Sequence, residues 1–467
     1  MLASIPEQVH FIGIGGAGMS ALANILLTLG YQVSGSDLAA THVTRRLETL
    51  GAKCYLGHDA KNLQDARLVV ISSAINGNNP ELIGAREKGV PVIHRAELLA
   101  WLMTRQKGIA VAGAHGKTTT TSMLALALEK NCFDPTIIIG GELNDIGGNA
   151  KLGRGEYVVA ESDESDGSFL RLKPLAAIVT NIEDDHLDHY GSLEKIKAAF
   201  RAFLGSLPEH GRAVVCLDDP NVREVVADVS VPLITYGLDR RADYTLGEVI
   251  LNGRQTRGEV FYRGNRLGVL ELFVPGRHNL LNALAVVALA RWLGLEFAGV
   301  AEALKEFRGV GRRFQFTGET GGVRIFDDYA HHPTEIKATL QAARTLQPSR
   351  VIVLFQPHRY TRTALLNERF GDAFPDADLI VMTEIYSAGE PPLEGVSTRL
   401  IIDAVEKHDG RPVVYFPGID EAVRYLAGVV QPGDLVLTLG AGNIWTAGKK
   451  LLAQLEKKRP AATGKIK

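Results

Sequence analysis

The apolar run VHFIGI, Val9 to Ile14, breaks into the glycines Gly13, Gly15, Gly16 and Gly18 and resumes as a helical apolar pattern from Met19 to Leu29, closed by Gly30. Few folds accept that order. A strand without alternation, a tight turn and a helix together open a parallel α/β sheet. Gly13, Gly15 and Gly18 fit G-x-G-x-x-G, whose glycines permit a sharp turn and close backbone approach, so that N–H groups at the helix start can face an anion. A second short strand, Tyr31 to Ser34, leads to Asp37, at about the 20-residue offset of a carboxylate that meets a ribose. The pattern specifies a pyrophosphate on a helix N-terminus with a ribose nearby. NAD is one molecule of that description, and a turn serving the fold alone is the bland alternative.

At about 150 residues per domain, a chain of 467 residues divides into about three. Apolar strands recur with helical stretches between them. LVVISSAI (Leu68 to Ile75) and PVIHRAELLAWLM complete a first Rossmann-like domain, 1–106. GIAVAG (Gly108 to Gly113), YVVAES, AAIVTNI and RAVVCLDD belong to a central domain, 107–312, in which short alternating strands between Tyr244 and Val274 form a small antiparallel sheet. VRIFDDY, RVIVLFQ, DLIVMTE, PVVYF and DLVLTLGAG make a third, Rossmann-like αβ series, 313–467, whose polar end EKKRPAATGKIK is expected to fray. The expected fold class is therefore α/β in three domains.

Charge narrows the partners. Lys plus Arg, 51, nearly balances Asp plus Glu, 53, which gives no electrostatic reason for nucleic acid or an anionic membrane. Cys54, Cys132 and Cys216 show neither disulfide nor zinc spacing. The opening MLASIPEQVHF lacks the basic and apolar regions of a signal peptide, and Leu280 to Trp292 is interrupted by Asn282 and Arg291 and too short to span a bilayer. A reducing, cytoplasmic setting is expected.

A second anion site follows the strand IAVAG. GAHGKTTTTS, Gly113 to Ser122, leads into the helix SMLALALEK, the context of a phosphate-binding loop. Its N–H groups form a cradle, Lys117 supplies a point charge for β- and γ-phosphates, and the Thr118 hydroxyl suits Mg²⁺. The loop is a shortened variant, because the first glycine of the common pattern falls at Val111. Glu161 lies where YVVAE runs out, and Asn181, Asp185, His186 and Asp188 crowd the end of AAIVT. Strand ends of this kind are the usual exit for metal-binding carboxylates.

Together GAHGKTTT, ESDESD, TNIEDDHLD, GRHNLLNALA, GVGRRF, DDYAHHPTEI and QPHRYTRT, in that order over nearly the whole chain, resemble the Mur ligases, ATP-dependent amide-forming enzymes of peptidoglycan precursor synthesis. DDYAHHPTEI, QPHRYTRT and GIGGAGMSALA look most like members that add the first residue. The resemblance implies that UDP-N-acetylmuramate and L-alanine, both small molecules, are joined through an acyl phosphate, by a monomer or weak homodimer. Gly15, Gly16, Ala17, Gly18, Met19, Ser20 and Asp37 would hold the UDP-sugar, with His58, Ser72 and Ser73 toward the uridine. ATP would lie on Gly113, Ala114, His115, Gly116, Lys117, Thr118 and Thr119, with Asn279, and secondarily Asn282, at the adenine, Asp328 at the ribose and Arg313 at the γ-phosphoryl group. Of one or two Mg²⁺ ions, the first would take Thr118 and Glu161 and the second His186. L-Alanine would meet Tyr329, His331, His358, Arg359 and Arg362. Lys117, His186, Arg313 and His358 carry the chemistry in this reading.

The gathered cations answer a need. Two like charges about 4 Å apart repel by about 4 kcal/mol at an effective dielectric near 20, and a carboxylate must approach a triphosphate. One departure is visible: where several Mur ligases carry a carbamylated lysine, EKIKAAFRAF places Phe200, with Lys195 and Lys197 nearby. Two alternatives stand beside the main reading. One is a relative that adds a peptide or another amino acid. The other is an NAD-dependent dehydrogenase, which has no use for Lys117, Thr118 and Glu161.

Overall fold

The computed structural model describes residues 4–143 and 148–458. Three sheets carry an α/β architecture. The first has five parallel strands in the chain order 3-2-1-4-5: Lys53–Leu56, Gln32–Asp37, Gln8–Ile12, Leu68–Ile71 and Val92–His94. Order reverses beside Gln8–Ile12, the place where α/β sheets open a crevice at their strand ends. The expected strand through Ile14 stops at Ile12, because Gly13 takes φ +79° and starts the turn. Helix Ala17–Thr28 follows and buries Met19, Leu22, Ile25 and Leu26.

The central sheet has ten strands. From one edge they are Asn265–Leu272, Gln255–Tyr262, Tyr244–Asn252, Leu233–Gly237, Arg212–Cys216, Ala176–Val179, Lys107–Ala112, Tyr157–Glu161, Thr136–Leu143 and Gly148–Lys151. The strands between Tyr244 and Leu272 form no separate sheet. Tyr244 pairs with Tyr236 and extends the central one. Only two residues, Gly253 and Arg254, link Tyr244–Asn252 to its neighbour, which dictates an antiparallel hairpin. The other edge is antiparallel too, between Thr136–Leu143 and Gly148–Lys151.

The third sheet orders Gln315–Thr320, Val323–Asp328, Asp434–Leu439, Arg350–Phe355, Leu379–Met382 and Val413–Tyr415. All five expected strands are present. The sixth, Gln315–Thr320, is an antiparallel edge strand. Glu456, Lys457 and Lys458, expected to fray, close the helix Trp445–Lys458; 459–467 lie outside the described residues.

The chain forms two compact units. One comprises the chain to Gly247 with Glu259–Leu270 and Leu281–Phe307; the other comprises Glu248–Gly258, Glu271–Leu280 and the chain from Arg308. In the first, one hydrophobic core runs from Phe11 and Trp101 through Ala110 to Phe169 and Phe200. In the second, the sheet is packed on both faces, around Phe355 and Phe370 on one and Ile325 and Leu426 on the other. Among the described residues no helix is long and apolar enough to cross a membrane.

Candidate active site

The glycine turn is held from below. Gly13 and Ile14 donate to the Ser36 carbonyl at 2.8 and 3.0 Å, and Gly16 donates to Gly13. Gly15 donates to Asp37 Oδ2 at 2.9 Å, and a Cβ on Gly15 would lie 2.9 Å from that same oxygen. Asp37 therefore closes the turn, so the Gly15 N–H is taken. Ala17, Gly18 and Met19 open the helix, where N–H groups have no partner inside it, and the helix dipole favours an anion there. Arg95, which sequence reasoning missed, packs against this point: a Cβ on Gly18 would lie 3.2 Å from its Nη1. Ser20 Oγ and the Ala17 carbonyl meet Asn149 Nδ2 at 3.0 and 2.8 Å. His58 stands on the loop after Lys53–Leu56, with Nδ1 2.8 Å from Ser36 Oγ. Ser73 Oγ donates to Asp166 at 2.7 Å, whereas Ser72 contributes its carbonyl to Ile75 N–H.

The phosphate loop is clamped by Asn181. Ala114 N–H donates to the Asn181 carbonyl and His115 N–H to its Oδ1, while Asn181 Nδ2 and Thr180 Oγ1 donate to the His115 carbonyl. The Ala114 and His115 N–H groups are thus engaged by Asn181. The first helical turn, Lys117 to Thr119, presents N–H groups that have no partner within the helix. Gly113 at φ +134° leaves no room for a side chain, since a Cβ would lie 2.1 Å from Thr180 Oγ1. Gly116, at φ +81°, faces Asn282 Oδ1 at 2.9 Å from the same construction.

Lys117 folds back on this loop. Its ammonium donates to the Gly113 and Ala114 carbonyls at 2.6 and 3.1 Å and to Glu164 Oε1 at 2.8 Å. Burial alone would lower its pKa, but the charges of Glu164, Asp163 and Glu161 outweigh that and raise it. Burial pushes Glu164 up to about 7, against the pull of Lys117. Glu164 Oε2 is buried with no hydrogen-bond partner among the described residues. Of the acids in ESDESD, the sequence alone singles out Glu161. The signal for Glu164 lies in its partner 47 positions away, which no local pattern shows.

Thr118 Oγ1 donates to Glu161 Oε1 at 2.9 Å, and Glu161 Oε2 accepts from Gly140 N–H at 2.8 Å. Hydroxyl and carboxylate oxygens are hard donors, a set that fits Mg²⁺. His186, at φ +57°, has Nε2 3.5 Å from Asp185 and 3.8 Å from Glu164. An imidazole suits that ion less well than oxygen does. Phe200 is core, in ring contact with Phe169 at 5.2 Å. Lys197 is tied to Glu194 and Glu224 at 3.0 and 2.7 Å.

In the second unit, Asp328 ends the strand Val323–Asp328 and caps two N–H groups, those of Phe314 and Ala330, both at 2.7 Å. Burial raises its pKa to about 6. The Arg312 and Arg313 guanidinium groups lie 5.0 and 5.2 Å from the Tyr329 ring. Arg312 is more than a surface charge: it donates to Asp327 Oδ2 and to the Gly440 carbonyl. Asn279 lies inside the helix Arg277–Trp292 rather than before it, and its Nδ2 donates to the Pro275 carbonyl at 2.7 Å.

Tyr329, His331, His358 and Arg362 form a chain of contacts. The Tyr329 and His331 rings are 5.4 Å apart, His331 and His358 5.7 Å, and Arg362 Nη1 lies 3.1 Å from His358 Nδ1. A guanidinium only donates, so Nδ1 accepts and Nε2 carries the proton. His358 is thus a donor. Tyr386, unnoticed in the sequence, lies parallel to the His358 ring at 5.8 Å. Arg359, at φ +71°, is directed to Glu390, 3.8 Å away.

A phosphate loop with acids at neighbouring strand ends, a glycine turn in the same unit, and an aromatic, histidine and arginine cluster in the other define a nucleotide-dependent α/β enzyme. Residues 8–107 match the Mur ligase family, catalytic domain; 111–290 the Mur ligase middle domain; and 312–442 the Mur ligase, glutamate ligase domain. The chain belongs to the Mur ligase family. It is 62% identical to the UDP-N-acetylmuramate–L-alanine ligase of Pelotomaculum thermopropionicum, over 96% of this chain and 98% of that one. The ligase of the same name from Desulforamulus reducens is 56% identical, over 97% and 98%. Among solved structures, UDP-N-acetylmuramate-alanine ligase from Thermotoga maritima superposes with a TM-score of 0.83 at 33% identity, covering 97% of this chain and all of that one.

Proposed function

We propose that the chain joins the carboxylate of UDP-N-acetylmuramate to the amine of L-alanine, forming ADP, phosphate and an amide in peptidoglycan precursor synthesis. The observation that carries this reading is identity of 62% and 56% over nearly the full length of two ligases of that name. The site chemistry is consistent with it. Lys117 exchanges its loop carbonyls for phosphate oxygens of ATP, and Arg313 supplies a further cation against the charge that develops as the carboxylate attacks. Thr118 and Glu161 are the residues that would hold Mg²⁺, with His186 and Glu164 as the nearest groups for a second ion. Bound there, Mg²⁺ would neutralise phosphate charge.

In this reading the domain 1–106 takes the UDP-sugar on the helix start at Ala17 to Ser20, 107–312 takes ATP, and 313–467 takes the amino acid. Arg359 and Arg362 suit the α-carboxylate, because a guanidinium fork matches it with two parallel hydrogen bonds. His358 donates through Nε2 and orients; it does not serve as base for the amine. The proposed setting is cytoplasmic, where free cysteines such as Cys54, Cys132 and Cys216 persist.

Phosphate release from Mg-ATP tests the proposal. It is expected only when UDP-N-acetylmuramate and L-alanine are both present, and hydroxylamine should trap an acyl phosphate when L-alanine is omitted. Stimulation by a tripeptide in place of L-alanine would move the chain to the peptide-adding reading. Turnover with neither acceptor would end the proposal.

A further inference from the structure

Beneath the first sheet's strand ends lies a polar cluster that the ligase reading leaves without a task. Glu81, in the first turn of helix Pro80–Glu87, has no exposed surface, and neither do His10 and Ser36. Its carboxylate accepts four donors: Asn62 Nδ2 at 2.6 Å and Asp59 N–H at 3.3 Å on Oε1, with Ser36 Oγ at 2.5 Å and His10 Nε2 at 3.4 Å on Oε2. Burial opposes the ionised form, but the hydrogen bonds from His10, Ser36 and Asn62 outweigh it and hold the pKa below the ordinary value. An ionised carboxylate only accepts, so the Ser36 hydroxyl spends its proton on Glu81.

Ser36 Oγ must then accept from its other neighbour, His58 Nδ1, at 2.8 Å. That fixes the His58 tautomer with the proton on Nδ1 and a lone pair on Nε2. His58 reaches the surface, at 15% exposure, whereas Glu81, His10 and Ser36 have none. The relay also sits beside the glycine turn, because the Ser36 carbonyl receives Gly13 and Ile14 N–H, and the next residue, Asp37, receives Gly15 N–H through its side chain and Gly57 N–H through its carbonyl.

We propose that Glu81 is a positioning residue which, through Ser36, holds His58 as a hydrogen-bond acceptor for a donor group on the uridine end of the substrate, an imide N–H or a ribose hydroxyl. The inference rests on the UDP-sugar reading of the first domain for the identity of the donor. The tautomer itself does not depend on that reading.

Two measurements separate these parts. Long-range ¹H–¹⁵N correlation NMR of the full chain, with the His58 signals assigned from His58→Gln, is expected to show a neutral ring protonated at Nδ1. Ser36→Ala and Glu81→Gln are expected to convert it to a tautomer mixture. Steady-state kinetics should then give a KM for UDP-N-acetylmuramate roughly 3- to 10-fold higher in both variants, the worth of one net hydrogen bond, with kcat and the KM for ATP and L-alanine unchanged. Ser36→Ala removes a single hydroxyl and keeps the test open if Glu81→Gln fails to fold. A wild-type ring protonated at Nε2, or a Ser36→Ala variant with unchanged tautomer and KM, would overturn the proposal. A wild-type enzyme with the Nδ1–H tautomer but no use for UDP-N-acetylmuramate would overturn the ligase reading and the uridine contact together, leaving the relay standing.

Discussion

At Glu164 burial and charge pull against each other. Its carboxyl titrates at about 7 in the fold against an ordinary 4.5, so the folded chain binds that proton more tightly than the unfolded one. Stability from this group is complete below pH 4.5 and declines as pH rises to about 7, by about 3 kcal/mol at 1.4 kcal/mol per unit. Glu164→Gln keeps the shape and removes the titration. Urea midpoints at pH 5 and pH 8 are expected to fall further for wild type than for the variant, and any constant offset from an unpaired Lys117 cancels in that difference. Parallel behaviour of the two proteins would show that Glu164 ionises freely. Arg362 offers a second residue-scale test. Because its guanidinium fixes the His358 proton on Nε2, Arg362→Lys retains the charge and loses the planar fork; the KM for L-alanine should rise about tenfold, with the KM for UDP-N-acetylmuramate unchanged.

At the scale of elements, the phosphate loop depends on what its neighbours forbid. Gly113 combines φ +134° with a Cβ position 2.1 Å from Thr180 Oγ1 and 3.0 Å from the Asn181 carbonyl. Gly113→Ala therefore adds overpacking of about 1–3 kcal/mol to backbone strain of similar size, and thermal melting together with the KM for ATP should register both. A variant with wild-type melting and KM would mean the loop relaxes without cost. Elements of this kind were legible in the chain because their strands are buried on both faces and read as unbroken apolar runs, as in GIAVAG and RVIVLFQ. Gln315–Thr320 was not, because an edge strand exposed on one side carries Gln315, Thr317 and Glu319 where a core strand carries valines. The site divided in the same way. Thr118 and Glu161 follow from loop and strand-end patterns, His358 and Arg362 from the family resemblance, and the structure pairs Thr118 with Glu161 and His358 with Arg362. Glu164, Asn181, Arg95 and Glu81 act through partners remote in sequence. Local spacing carries no trace of such pairs.

For the molecule as a whole, the two anion sites that look separate in the chain share one compact unit and one line of charge. Arg95 stands against Gly18 at the start of the first helix, and its Nη2 donates to Asp163 at 2.7 Å. Asp163 in turn is held below its ordinary pKa by Arg95 and Lys117, against burial. Ser73 to Asp166 at 2.7 Å and Asn149 to the Ala17 carbonyl at 2.8 Å bridge the same span. In the proposed reading, charges so placed would make occupancy of one site felt at the other: an anion on the first helix would compete for Arg95, and the field around Lys117 would change with it. A double-mutant cycle measures that link. Arg95→Ala and Asp163→Asn should each raise the KM for both UDP-N-acetylmuramate and ATP. The double variant should cost less than the sum by about 1 kcal/mol, within the range measured for residues in contact. Additivity to within about 0.3 kcal/mol would mean that the Arg95–Asp163 pair holds the fold together without coupling the two sites.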